Sequence, residues 1–124
     1  MAVLQYATVG SNQLDKAVAF YDDVLGMSGM TKMFDHPSGG RIYGKDGAIT
    51  FGVLGPFDGK AATAGNGAMC AFQCDSREEV DAFHAKVLAL GGSDEGAPGL
   101  RGASWYAAYM RDLDGNKLCA FNIG

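Results

Sequence analysis

A few side chains of this 124-residue chain have the type and setting for chemistry. Cys119, in the run NKLCAF, offers a nucleophile only if a base activates it, because the thiolate attacks and the thiol does not. The imidazole candidates are His36, in the turn HPSGG, and His84, in a helical run. His36 is placed to reach the mouth of a cavity. His84 follows Phe83 and is expected at a helix–sheet boundary, facing away from any cavity. With no base beside it, Cys119 reads as an inert thiol. Arg101, in the loop APGLRG, and Arg41, at the start of a strand, are the candidates to hold an acidic group of a ligand. Asp112 and Asp114 form a carboxylate pair in DLDGN, where turn formation explains them better than catalysis. Trp105, Tyr106 and Tyr109 share one strand. Alternation sends neighbours to opposite faces, so at least one of them borders a cavity.

The elements that position these residues follow from periodicity. Residues 3–10 read as a strand, and Ser11 and Asn12 are expected to cap the helix that follows. Leu14, Ala17, Val18, Tyr21, Val24 and Leu25 recur at helical spacing over about 14–25. Three short strands are expected at 30–35, 41–45 and 48–54, punctuated by HPSGG and KDG. Residues 67–74 read as another strand. Ser76 and Glu79 then have the S-x-x-E spacing of a capping box. Val80, Phe83, Val87 and Leu90 mark the buried face of a second helix, which Gly91 and Gly92 stop. A weak strand at 93–96 and stronger ones at 104–111 and 117–123 complete the chain.

The two halves repeat. Ala19, Phe20, Val24, Leu25 and Gly29 recur 63 positions on as Ala82, Phe83, Val87, Leu88 and Gly92. Asp46–Gly47 recurs 68 positions on as Asp114–Gly115. The fold class is therefore α+β: two βαβββ modules, over about 3–54 and 67–123, in a single domain with a Gly/Ala-rich linker at 55–66. Two four-stranded sheets with helices outside can curve around a shared cavity, the natural place for a ligand.

Composition bounds the function classes. Hydrophobic residues make up 48 % and charged residues 19 %, which supports a packed core and opposes disorder. A net charge of −4 gives no basic surface for nucleic acid. No run reaches the ~18 apolar residues that span a bilayer. The start MAVLQYATVG lacks the basic segment of a signal peptide, so a cytoplasmic location with three reduced thiols is expected. Cys70 and Cys74, four residues apart in one strand, sit roughly 13 Å apart and cannot pair.

The segments AVAFYDDVLGM (17–27), SREEVDAFHAKVLALGG (76–92), APGLRG (97–102) and WYAAYMRDLDGNKLCAF (105–121) carry a resemblance. With the βαβββ repeat they resemble the vicinal-oxygen-chelate superfamily of glyoxalases, bleomycin-resistance proteins and dioxygenases. The resemblance covers nearly the whole chain. It implies a metal held by His, Gln or Glu on the first and last strands of each module. The corresponding positions here are Tyr6, Phe51, Met69 and Cys119. Those side chains do not suit a hard or borderline divalent ion, so no metal or other cofactor is expected.

The expected ligand cavity is lined by Tyr6, Thr8, Phe51, Met69, Gln73, Cys119 and Phe121, with Trp105, Tyr109, Arg101 and His36 at its border. The partner expected is a small, partly apolar molecule, bound without any catalysis being implied. A metal-dependent lyase or dioxygenase, and a catalytically degenerate paralogue, are the alternatives. A homodimer is expected because small curved sheets leave edges to cover.

Overall fold

The computed structural model describes residues 1–124. Its strands are β1 (Ala7–Gly10), β2 (Thr31–Asp35), β3 (Arg41–Lys45), β4 (Ala48–Leu54), β5 (Cys70–Gln73), β6 (Ser93–Leu100), β7 (Trp105–Arg111) and β8 (Lys117–Ile123). Its helices are α1 (Leu14–Gly26) and α2 (Arg77–Ala89). The chain divides into two compact units, Met1–Ala64 and Gly65–Gly124. Each is a βαβββ module with one four-stranded sheet, ordered β1-β4-β3-β2 in the first and β5-β8-β7-β6 in the second. β1 runs parallel to β4, and β5 parallel to β8, while the other pairings are antiparallel. No helix is long and apolar enough to cross a membrane.

Each helix buries its apolar stripe on one face of its own sheet. In α1 the buried residues include Phe20, Tyr21, Val24 and Leu25; in α2 they are Val80, Phe83, His84 and Val87. The two helix starts differ. Ser76 Oγ accepts the Glu79 N–H at 3.1 Å, as the capping-box spacing predicts, and Glu79 Oε1 reaches back to the Asp75 N–H. Ser11 and Asn12 do not cap α1. Its N-cap is Gln13, which has no side-chain cap bond. Ser11 Oγ accepts the Gln13 N–H, and the Asn12 amide exchanges two hydrogen bonds with the Ala62 backbone. That exchange binds much of the expected linker into the first unit, which extends to Ala64.

One bulge changes which residues share a face. On β3 and β4, Tyr43 pairs with Phe51 but Gly44 pairs with Ile49, so Thr50 is an extra residue on β4. The second module has no such shift between β7 and β8. Thr8 pairs with Gly52, and its repeat partner Ala71 pairs with Cys119. The structural counterpart of Cys119 is therefore Gly52, not Phe51. Phe51 is 2 % exposed and its ring centroid lies 4.9 Å from that of Tyr21 on α1. The expectation that Phe51 lines a cavity opposite the helix is thus corrected: its side chain belongs to the helix-facing core.

Candidate functional site

The second unit shows which face of its sheet is open. Phe72 packs its ring on Phe83 of α2, with centroids 5.5 Å apart, and Tyr106 donates to Asp81 of α2 at 2.6 Å. Alternation then puts Gln73, Cys119, Phe121, Trp105 and Tyr109 on the opposite face. Trp105 and Phe121 stack there, with centroids 4.4 Å apart and planes 15° from parallel. Tyr109 pairs across the ladder with Cys119. The Trp105 indole N–H points at the Tyr109 hydroxyl at 3.4 Å. Gln73 is exposed, and Met69, just before β5, is also exposed.

Arg101 reaches this face by folding back. Its Nη1 donates to Gly99 O at 2.8 Å and its Nη2 to Ala97 O at 2.7 Å. Its guanidinium carbon lies 5.6 Å from the Tyr109 ring centroid. Lys117 Nζ lies 5.5 Å from the same centroid. Lys117, two positions before Cys119 on β8, was not among the sequence candidates. The glycines of GAPGLRG leave room for this fold-back: a Cβ on Gly96 or Gly99 would stand 3.2 Å from the Arg101 guanidinium nitrogens.

Cys119 has no exposed surface, and burial pushes its thiol up, against smaller opposing pulls from Tyr109, Arg101 and Lys117. It is therefore a thiol at neutral pH. The one imidazole of its unit, His84, sits on α2 with Nε2 bonded to Asp94 at 2.8 Å. No base activates Cys119 there.

In the first unit, Thr8 and His36 line an open groove of about 610 Å³ with Ser38, Leu54, Pro56, Phe57 and Asp58. His36 Nδ1 accepts the Ser38 N–H at 3.2 Å and lies 2.9 Å from Ser38 Oγ, which itself accepts the Gly55 N–H. Those contacts commit Nδ1 and leave Nε2 for a ligand. Tyr6 precedes β1 and is 48 % exposed, outside the groove lining. Phe57, Ser38 and Asp58 were not among the sequence candidates. Arg41, a sequence candidate for an acidic ligand group, is committed to Asp22 at 2.6 Å and Asp35 at 3.0 Å. Asp112 accepts the Asp114 and Asn116 N–H groups, as a turn former does.

The four positions where the family places metal ligands do not supply a fitting donor set. Tyr6 offers a phenol, Met69 a neutral thioether and Cys119 a buried thiol, while Phe51 packs on the helix side. Replacing Phe51 by its structural counterpart Gly52 adds no side-chain donor. No three His, Cys, Asp or Glu side chains are gathered to hold an ion.

Residues 3–120 match the Glyoxalase/Bleomycin resistance protein/Dioxygenase superfamily. The chain is similar to a glyoxalase/bleomycin resistance protein of Albidiferax ferrireducens, with 38 % identity and a TM-score of 0.90, covering 99 % of this chain and 100 % of that one. It shares its fold with a lactoylglutathione lyase of Agrobacterium tumefaciens, at 20 % identity and TM-score 0.71, covering 98 % and 94 %. It also shares it with an antibiotic-binding protein of a Streptomyces species, at 21 % identity and TM-score 0.70, covering 100 % and 98 %. Among curated proteins none matches.

Proposed function

This chain belongs to the glyoxalase/bleomycin resistance protein/dioxygenase superfamily, and on that premise we propose that it binds a small, partly apolar molecule without using a metal. The observation that carries the reading is the open sheet face of the second unit. Trp105 and Phe121 stack there on the side opposite α2, with the exposed Gln73 amide beside β8. An apolar floor with few polar groups is the usual composition of a small-molecule site. Catalysis through Cys119 lacks a base, and the donor set gives a Lewis acid no seat. A fold shared by a lyase and an antibiotic-binding protein does not choose between reaction and binding. The chemistry of this chain's own residues favours binding.

The test uses the single tryptophan. Saturable quenching of Trp105 fluorescence by small aromatic or alicyclic compounds is expected, together with a raised thermal midpoint. A ligand that raises the midpoint but leaves Trp105 fluorescence unchanged would move the site to the groove beside His36. Failure of a broad panel to change either signal would overturn the reading in favour of a degenerate paralogue.

A further inference from the structure

We infer that the ligand of the second unit is a planar aromatic anion, such as an aryl carboxylate, with its ring over Trp105 and Phe121 and its charge held by Arg101 and Lys117. The inference rests on the binding reading above and adds the substrate class to it. Two cations converge on one aromatic ring, with Arg101 at 5.6 Å and Lys117 at 5.5 Å from the Tyr109 centroid. They do so in a chain whose net charge is −4. Neither is neutralised by a carboxylate. The acids of the adjoining strand β6 already have partners: Asp94 pairs with His84 at 2.8 Å, and Glu95 pairs at 2.7 Å with Arg111, the ladder neighbour of Lys117.

The loop is shaped for this placement. Gly96 pairs with Tyr109 and Gly99 with Ala107, so the positions facing the sheet carry no side chain. Arg101 fills the space they leave, and its two carbonyl contacts fix the plane of the guanidinium while leaving N–H donors unused. A guanidinium already ordered by the loop loses little freedom when it pairs with a carboxylate. The half-buried Lys117 side chain makes no ion pair and adds a second charge over the same ring. On the same face, Phe121 lies two strand positions from Cys119, and the Trp105 indole N–H, four positions from Tyr109, comes within 3.4 Å of the Tyr109 hydroxyl. Ring recognition and charge recognition are thus neighbours on one surface.

The experiment titrates the full chain with naphthoate, naphthamide and naphthylmethylammonium, following Trp105 fluorescence. Naphthoate should bind about tenfold tighter than the amide, and the ammonium most weakly. Added salt should narrow that preference. Lys117→Gln should reduce the preference for naphthoate with the thermal midpoint held. Arg101→Gln should abolish it, and because this change also removes two loop contacts, Lys117→Gln is the deciding variant. Equal binding of naphthoate and naphthamide, or an unchanged preference in Lys117→Gln, would overturn the anionic class while leaving the binding reading intact. If none of the three probes binds, nor any neutral compound of the broader panel, the binding reading itself falls and the inference with it.

Discussion

The His84 imidazole and the Asp94 carboxylate tie α2 to β6 through a 2.8 Å contact between Nε2 and Oδ1. Asp94 Oδ1 also accepts the Gly96 N–H at 3.0 Å, at the bulge where β6 begins its glycine-rich stretch. The pair therefore anchors the start of the segment that lays Arg101 across the sheet. His84, expected at a helix–sheet boundary away from the open face, occupies that position as a buried side chain.

This contact predicts an acid-side loss of stability. The His84 and Gly96 hydrogen bonds hold the Asp94 carboxyl below its ordinary value of 3.8. A depressed folded-state pKa contributes stability that is present above the unfolded value and lost as pH falls through the folded value. Asp94→Asn should therefore flatten the fall in thermal midpoint between about pH 5 and about pH 2. The effect should be small, because Asp94 is more than half exposed. Coincident pH profiles for the two proteins would show that the contact does not stabilise the fold.

Phe51 should behave as core. It is wedged among Tyr21, at 4.9 Å, and Tyr43, at 6.5 Å between ring centroids. Phe51→Ala should cost about 3–5 kcal/mol in urea unfolding. Phe51→Glu, which on a cavity wall would begin a metal site, should instead bury an unpaired carboxylate and prevent folding. A soluble, folded Phe51→Glu protein would contradict the placement.

The error that put Phe51 on the cavity side has a physical source. Both helices and most strand boundaries were legible, because apolar periodicity and turn residues are local signals. The repeat of helix residues at 63 and of the Asp–Gly turns at 68 was legible as well. A bulge is not a local signal. The extra residue Thr50 leaves the Asp–Gly turns aligned at 68 but shifts the strand that follows to a spacing of 67, and one residue inverts the faces of a strand. In the second module, where no bulge intervenes between β7 and β8, alternation from sequence alone put Gln73, Cys119 and Phe121 on a common face, while the face of the 104–111 strand was left open until its pairing with β8 placed Tyr109 opposite Cys119. The fold-back of Arg101 was out of reach, because it depends on side-chain contacts to Gly99 O, Ala97 O and Tyr109.

The cysteines should react slowly in the native protein. Burial pushes the Cys74 thiol up to about 12 and raises those of Cys119 and Cys70 as well. Cys74 and Cys119 are also buried from reagent. Ellman titration at neutral pH should find at most one accessible thiol, Cys70, and all three only after denaturation. Rapid native modification of Cys119 would show that the face around it opens more readily than its burial implies.

We expect a homodimer in solution. Each sheet ends in strands with one unpaired edge, and in β2 all five residues, including Met33 and Phe34, are exposed. Exposed apolar edge strands favour pairing with another chain. Sedimentation at micromolar concentration should show a dimer, and Phe34→Lys should shift it toward monomer if β2 is the contact. A monomer at every concentration tested would exclude the expectation.

Metal content should be low, and the reason is donor chemistry. A divalent ion of the Ni²⁺, Fe²⁺, Zn²⁺ or Mn²⁺ kind takes imidazole, carboxylate or thiolate ligands in sets of three or more. The family's ligand positions give a phenol at Tyr6, a thioether at Met69 and, at Cys119, a thiol held protonated by burial. On β4 the structural counterpart of Cys119 is Gly52, which gives nothing, and Phe51 turns its ring to Tyr21. Binding an ion would first require deprotonating Cys119 against its burial and would still leave one anionic ligand alone. Elemental analysis of purified protein should therefore find well below one equivalent of each ion, and adding any of them in slight excess should leave the thermal midpoint unchanged. One tightly held equivalent that survives gel filtration, and that is lost in Cys119→Ser, would overturn the metal-free reading and revive a metal-dependent lyase or dioxygenase.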